Sequence, residues 1–381
     1  MKRNLFFVAL SAIALASCTN DEVIESNPGN AIAFNVSTGV TTRVAATTGE
    51  TIKDEGFKVS AFTEGEETGY MTNLQVDYKE GSWGYEGTMF WPAAKLDFYS
   101  VSPQSTNVTF SASDTRIVGY TINEKAGDQI DLLYAVNMGE TRTAKNDAPV
   151  NINFRHALSQ IVFRAKNTNK NLEVIIDGVK VMNVNGKGNF AYPKATTSAG
   201  STDDETTIGT WSNQKDPLQY GYEAGVERLT LNGVKDGNLT TTDRGGVFTG
   251  AMFLLPQKLT PWDLKPAASA DKVNGAYFFV KCKINSIQGG TSTQIWPKDV
   301  ANTNPEWVAI PVNDGTWDPG KKYTYTFIFG EGGGYVDPTK PEGGEPVLVP
   351  VSFNVSVDDF TDGFTDIDMK YNGIPEGGSI D

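Results

Sequence analysis

The sequence predicts an all-β protein, and three observations support this prediction. Apolar and polar residues alternate in short runs such as 31–36 and 57–62, which is the period of a strand with one buried face. Turn-forming residues separate the runs, since the 381-residue chain contains 39 glycines and 18 prolines. Helical periodicity is nearly absent. Short strands between frequent turns are typical of β-sandwich domains.

The first residues predict an export signal. Two positive residues, Lys2 and Arg3, precede an apolar run over residues 5–15. A run of this length fits the apolar region of a signal peptide, and it is too short to cross a bilayer, which takes about 20 residues as a helix. We therefore expect residues 1–17 to be a signal peptide.

Cys18 completes the pattern of a bacterial lipobox, Leu15-Ala16-Ser17-Cys18. A lipobox needs cysteine because the thiol sulfur becomes the thioether to diacylglycerol. The alternative, an ordinary signal peptide with an incidental cysteine, requires one of only two cysteines to fall here by chance. We predict lipidation at Cys18, a flexible lipidated tether at 18–30, and export and lipoprotein-processing machinery as partners.

The residues after the lipobox predict where the lipoprotein is delivered. Residues 19–22 are polar and acidic, and they look like the signal that carries some Bacteroidetes-type lipoproteins to the outer face of the outer membrane. No later segment is apolar and long enough to span a membrane, so the predicted membrane attachment is the lipid anchor. The predicted location is therefore the cell surface.

Size, charge and cysteine content narrow the class of protein. About 360 residues follow the signal peptide, which favours two domains over one. The formal net charge of -14 and the pI near 4.7 argue against a nucleic-acid partner, since a phosphate backbone attracts a basic surface. Cys282 would be the single cysteine left besides Cys18, in a strand-like run where a buried, inert thiol is expected.

The strand-like runs suggest two β-sandwich domains in tandem. We place the N-terminal sandwich at 31–147 and the C-terminal sandwich at 148–381, with the polar stretch 139–149 as the connection. The run 150–165 predicts one or two strands, with an irregularity near His156.

Two polar regions of the C-terminal half are predicted to lack strands. Residues 194–227 are rich in Thr, Ser, Gly and Asp, which predicts loops or insertions. Residues 330–346 form a Gly/Pro-rich stretch that predicts a flexible linker. A last strand follows at 347–357.

The sequence provides no catalytic set, so we expect a protein that is not an enzyme and has no cofactor or metal. His156 is the only histidine, and it lies in an apolar strand where a structural role is favoured. Gly332-Gly333-Gly334 lacks the Lys-Ser/Thr of a phosphate loop. The C-terminal acidic residues do not have the spacing of a twelve-residue calcium loop, and a solvated acidic turn is favoured. These residues are Asp358, Asp359, Asp362, Asp366 and Asp368.

Four groups of segments, taken in order, resemble the fimbrillin family of Bacteroidetes, which are type V pilin-like proteins. Singly each is weak, but the ordered set covers most of the chain. The poorest match is 194–227, and the C-terminal end departs from the family where Asp358-Asp359-Phe360 replaces a frequent Trp. The groups are Ile32-Ala33-Phe34 with Thr41-Thr42-Arg43-Val44 and 57–62; Trp83-Gly84-Tyr85 with Phe90-Trp91-Pro92 and 96–103; 131–135 with 154–161; and 317–327.

The resemblance implies a structural or adhesive subunit of a cell-surface fimbria, built from two transthyretin-like sandwiches. Such subunits travel as lipoproteins, and an Arg-specific protease cuts them after an arginine near the N-terminus. The first strand is lost, and a strand from another pilin subunit fills the groove by donor-strand exchange. The bond between Arg43 and Val44 stands where this cut would fall, in small and polar surroundings typical of an accessible loop. A surface arginine in a turn is the alternative.

A second hypothesis is a monomeric surface lipoprotein that binds host glycans or other host ligands, including a protein receptor. Exposed aromatic side chains can stack on sugar rings, although core packing is favoured at most positions. A hydrolase on a β scaffold has no catalytic residues to support it. The candidate aromatics are Trp83, Tyr85, Trp91, Trp211, Trp262, Trp307 and Trp317.

Overall fold

The computed structural model describes residues 31–38, 51–63, 66, 68–106, 108–110, 115–142, 148–197, 208–223, 229–239, 251–264, 273–330, 335–340 and 351–359. Within these ranges the chain forms 23 strands, one short helix, α1 (Ile52–Glu55), and one 3-10 turn (Ala126–Asp128). The all-β prediction is confirmed.

The strands in chain order are β1 (Phe34–Thr38), β2 (Phe57–Thr63), β3 (Gly69–Lys79), β4 (Ser82–Tyr85), β5 (Leu96–Ser102), β6 (Thr109–Phe110), β7 (Thr115–Thr121), β8 (Leu133–Glu140), β9 (Val150–His156), β10 (Ser159–Asn167), β11 (Leu172–Ala191), β12 (Thr210–Glu223), β13 (Leu229–Asn232), β14 (Lys235–Asn238), β15 (Met252–Leu254), β16 (Lys258–Leu259), β17 (Tyr277–Gln288), β18 (Thr291–Trp296), β19 (Glu306–Pro311), β20 (Gly315–Thr316), β21 (Lys321–Phe329), β22 (Tyr335–Val336) and β23 (Val351–Asp359).

Seven strands form the first sheet, in the order β1-β9-β8-β5-β2-β3-β4. β1 runs parallel to β9, and the other neighbours run antiparallel. Alternation explains the buried face, since Phe57, Val59 and Ala61 of β2 all point into one cluster of buried side chains. This cluster is the core beneath β1.

Most of the remaining strands form a sandwich of two sheets. The five-stranded sheet has the order β14-β10-β21-β23 with β15 beside β10, and the nine-stranded sheet has the order β22-β19-β17-β11-β7-β6 with β12, β13 and β18 alongside. Their inner faces meet through aromatic rings, with centroids 5.8 Å apart for Phe163 and Phe278 and 5.5 Å apart for Phe278 and Phe327. β16 and β20 form a small two-stranded sheet.

Strand pairing crosses the predicted domain boundary at 147/148 in both directions. β9 follows that boundary but lies in the first sheet, and β7 precedes it but pairs with β11 of the nine-stranded sheet. The run 150–165 is two strands as the sequence allows, with β9 and β10 separated just after His156. The division into 31–147 and 148–381 stays a prediction.

Two expectations about loops are wrong. Most of the described part of 194–227 is β12, which pairs with β11 and shows two register shifts; bulges and an exposed polar face hide its alternation. The predicted linker 330–346 contains β22, which pairs with β19 and buries Val336. A strand of two residues is too short to give a period in the sequence.

Candidate functional site: the seat of the N-terminal strand

β1 lies at one edge of the seven-stranded sheet. Its five residues pair in parallel with β9, from Phe34 opposite Val150 to Thr38 opposite Phe154. The amide of Val150 donates to the carbonyl of Ala33 at 2.8 Å, so the pairing begins just before the strand. The side-chain amide of Asn35 donates to Asn151 Oδ1 at 3.3 Å and adds a contact at the exposed surface of the pair.

The residues before β1 bind a different part of the first sheet. The amide of Ile32 donates to the carbonyl of Met89 at 2.8 Å, and Ala31 forms an antiparallel bridge with Phe90. The Tyr85 hydroxyl donates to the carbonyl of Ile32 at 2.7 Å. Burial raises the pKa of Tyr85, so this phenol keeps its proton for the bond. Residues 31–38 therefore join β9 to the segment that follows β4.

The side chains of this segment fill a gap in the first core. Ile32 is 2% exposed and Phe34 is 6% exposed, while Ala33 and Asn35 between them face solvent. The Phe34 ring lies 6.1 Å from Phe57, 5.9 Å from Tyr85 and 5.9 Å from Phe98, measured between centroids. We call the site that these side chains fill the β1 seat. It is formed by Phe57, Tyr85 and Phe98 and by the buried residues Val150, Ile152 and Phe154.

β1 closes the first core as a plug at the edge of the sheet. An edge strand can leave without breaking the order of the remaining strands, and its departure exposes unpaired backbone groups of β9. It also exposes the aromatic floor of the seat, and burying each such apolar side chain is worth about 1.5–3 kcal/mol. The seat is therefore closed by a strand whose alternate side chains are apolar.

β23 is the edge strand of the other half of the chain. It pairs antiparallel with β21 over nine residues, from Lys321 opposite Asp359 to Phe329 opposite Val351. Its other neighbour position in the five-stranded sheet is open in the strand order. Both ends of the described chain are thus edge strands.

The predicted site residues at the N-terminus lie outside the described residues. These are the lipidation site Cys18 and the predicted cleavage residues Arg43 and Val44. The described residues on either side of the cleavage region are Thr38, at the end of β1, and Thr51, just before α1. Lipidation and cleavage stay predictions.

His156 and Cys282 occupy structural positions. His156 Nδ1 lies 2.9 Å from the carboxylate of Asp131, which is itself buried. Cys282 is fully buried, and burial raises its pKa to about 12. Such a thiol stays protonated near neutral pH, which disfavours a nucleophilic role.

Within the described ranges, no group of three or more His, Cys, Asp or Glu side chains could hold a metal ion. Of the C-terminal acidic residues, Asp358 and Asp359 end β23, and the other three lie beyond the described residues. No helix in this part of the chain has the length and hydropathy to cross a membrane.

The candidate aromatics divide by burial. Trp91, Trp262 and Trp317 belong to the core, whereas Trp83, Trp211 and Trp307 are half-buried. Sequence reasoning missed the contribution of Tyr85 and Met89 to the β1 seat. The Tyr85 bond joins residues 53 apart in sequence, and no local pattern records such a contact.

Comparison with known proteins identifies a protein family that matches this chain. The sequence profile of the family described as fimbrillin-like matches residues 42–346, more than half of the chain. No curated protein matches the chain.

Two solved structures of fimbrial proteins match this chain over most of its length. A fimbrial protein from Bacteroides vulgatus has 14% identity and a TM-score of 0.50, and the alignment covers 87% of this chain and all of that one. The tip fimbrial protein Mfa3 from Porphyromonas gingivalis has 12% identity and a TM-score of 0.34, over 86% of this chain and 99% of that one. Because the family profile spans most of the sequence, the chain belongs to the fimbrillin-like family of fimbrial, cell-surface proteins.

Proposed function

We propose that this chain is a fimbrial subunit that assembles by donor-strand exchange at the β1 seat, and that the C-terminal strand of a second copy is the donor. The proposal is carried by a repeat in the sequence. Phe34-Asn35-Val36-Ser37 in β1 is identical to Phe353-Asn354-Val355-Ser356 in β23. The residue two places before each phenylalanine is also apolar, Ile32 in one and Val351 in the other.

The residues of the repeat fit the positions that β1 occupies in the β1 seat. Ile32, Phe34 and Val36 are the residues that face the core, and the repeat supplies apolar residues at the same three positions. Asn354 would take the position of Asn35 and reach Asn151 in the same way. A strand added at a sheet edge gains backbone hydrogen bonds worth about 0.5–1.5 kcal/mol each, and side-chain pockets select the register.

In this proposal, proteolysis is the step that allows β1 to leave the seat. In the uncut chain, β1 is tethered to α1 by residues 39–51, so its effective concentration at the seat is about millimolar or higher and a second copy cannot compete. A cut after Arg43 makes β1 a separate fragment that can dissociate. The lipid on Cys18 leaves with that fragment, so the lipid anchor serves delivery to the outer membrane.

The test is cleavage of the purified uncut chain with an Arg-specific protease. We expect one early cut between Arg43 and Val44, release of the N-terminal fragment, and multimers that resist SDS. Arg43→Ala is the matched control, and it should block both cleavage and assembly while leaving the fold intact. A chain that is cut at Arg43, loses its fragment and stays monomeric would contradict the proposal.

A further inference from the structure

A groove in the second half of the chain forms a separate candidate binding site. Three segments line it: 208–214 at the start of β12, 256–258 around the start of β16, and 316–319 between β20 and β21. Its volume is about 480 Å³, within the range of about 300–1,000 Å³ that is usual for small-ligand sites. It shares no lining residue with the β1 seat.

Trp211 gives the groove a fixed aromatic surface. Its indole N–H donates to the carbonyl of Ala157 at 2.6 Å, and its ring lies 5.2 Å from Phe190 and 5.8 Å from Tyr120. Gly188 leaves room for this ring, because a Cβ at that position would lie 3.2 Å from Trp211 Cε3. The half-buried indole is therefore held in one orientation.

A β-bulge directs polar residues of β12 to the groove. Ser212 pairs with Asn189 and Lys215 pairs with Lys187, so Asn213 and Gln214 of β12 lie opposite the single residue Gly188 of β11. Asn213 has a φ of +50°, in the left-handed region that few non-glycine residues adopt. The Gln214 side-chain amide donates to the carbonyl of Pro256 and ties two walls together.

The third wall is tied to the second by backbone bonds. The amide of Trp317 donates to the carbonyl of Gln257 at 2.9 Å, and Lys258 pairs with Thr316. Asp318 is fixed through its own amide, which donates to the Tyr323 hydroxyl at 2.8 Å. The groove is thus preformed, which lowers the entropy cost of binding.

The rim of the groove carries both hydrogen-bond donors and hydrogen-bond acceptors. Hydroxyl, amide, ammonium and carboxylate side chains are exposed there, and the one cation and one anion among them leave no net charge. These groups match a ligand whose hydroxyls both donate and accept, and they do not select for an ionic ligand. The exposed rim residues are Thr210, Ser212, Asn213, Lys258, Thr316 and Asp318.

We propose that this groove binds a neutral carbohydrate chain. The apolar C–H face of a pyranose ring packs on Trp211, as apolar groups pack on aromatic surfaces generally. The ring hydroxyls bond to the rim, with Asp318 accepting and the Asn213 amide both donating and accepting. The site gives the fimbrial subunit a carbohydrate-binding surface that does not depend on strand exchange.

The test uses the purified uncut chain and three neutral hexasaccharides, cellohexaose, mannohexaose and chitohexaose, in titration calorimetry. At least one should bind, and Asp318→Asn and Asn213→Gly should each weaken its binding about tenfold, the loss expected for one good hydrogen bond. Glycine accepts the positive φ at position 213, so this variant removes the amide without adding backbone strain.

Glu80→Gly is the matched control, because Glu80 is exposed and has a φ of +52° but lies in the turn between β3 and β4. It should bind the sugar as the unmodified chain does. The proposal is overturned if none of the three sugars binds, or if the variants at 213 and 318 bind as tightly as the control.

Discussion

The two edge strands β1 and β23 contain the same four residues but are held in different ways. β1 pairs with β9 over five residues, and its apolar side chains close the core of the first sheet. β23 pairs with β21 over nine residues, in the opposite relative direction. The same sequence thus occupies a parallel edge in one half of the chain and an antiparallel edge in the other.

The two strands are stabilised by different interactions. β1 has a short ladder and a buried aromatic ring, so its stability depends mainly on side-chain burial. Each net backbone hydrogen bond is worth only about 0.5–1.5 kcal/mol. β23 has a longer ladder, so many backbone hydrogen bonds contribute to its stability. Under the proposed exchange, a cut that frees β1 leaves the β1 seat without its apolar side chains, and the repeat in β23 has apolar residues at the same positions.

The largest effect is expected for Phe34→Ala. This change removes the ring that packs on Phe57, Tyr85 and Phe98, and it should lower the free energy of unfolding of the uncut chain by about 3–5 kcal/mol. Urea denaturation measures it. Asn35→Ala, one residue away and exposed, should cost less than about 1 kcal/mol; equal losses at the two positions would show that β1 is not a plug.

Phe353→Ala separates the donor role of β23 from the plug role of β1. Under the proposed exchange it removes the ring that replaces Phe34, and it should slow multimer growth of the cut chain at least about tenfold, which corresponds to 1.4 kcal/mol. Time courses on SDS gels measure it. Ser352→Ala is the matched control on the alternate position, and growth at the same rate in both variants would rule out a donor that includes residue 353.

Tyr85→Phe tests the bond that holds the entry of β1. Loss of the hydroxyl leaves the carbonyl of Ile32 without this donor, and the expected cost is about 1 kcal/mol. After cleavage the N-terminal fragment should leave the variant a few times faster than it leaves the unmodified chain. Fragment release followed by mass spectrometry measures the rate, and an unchanged rate would show that the bond contributes nothing to retention.

No change is expected at Cys282 when β1 leaves. This thiol lies in the core of the second half rather than in the β1 seat. Burial raises the pKa of Cys282 from 9.0 to about 12. Between these two values the folded chain keeps a proton that the unfolded chain releases. The contribution of this thiol to stability is therefore present below pH 9 and is lost as the pH rises toward 12.

At pH 8, a thiol reagent should therefore label Cys282 at the same slow rate before and after cleavage at Arg43. Labelling in urea is the control, because unfolding exposes the thiol. Fast labelling of the cut, folded chain would mean that loss of β1 opens both cores.

Several features of the fold and the site could be predicted from the sequence because they depend on local alternation. Residues 31–36 show their buried and exposed faces directly. Contacts between distant residues could not be predicted, such as Tyr85 with Ile32 and the parallel register of β1 with β9. β12 was missed because its bulge interrupts the period, and the same bulge builds the groove beside Trp211.

Strand exchange is tested most directly by a disulfide between two subunits. Asn35 pairs with Asn151 in the uncut chain, so Asn354 of an incoming copy should take that place, and Cα atoms about 4.4–6.8 Å apart can be bridged. One variant carries Asn151→Cys and the other Asn354→Cys; the two are mixed, cut after Arg43 and oxidised. Strand exchange in this register should give a 151–354 disulfide, and none should form when the donor carries Ser352→Cys instead. No disulfide in assembled multimers, or an equal yield from residue 352, would contradict it.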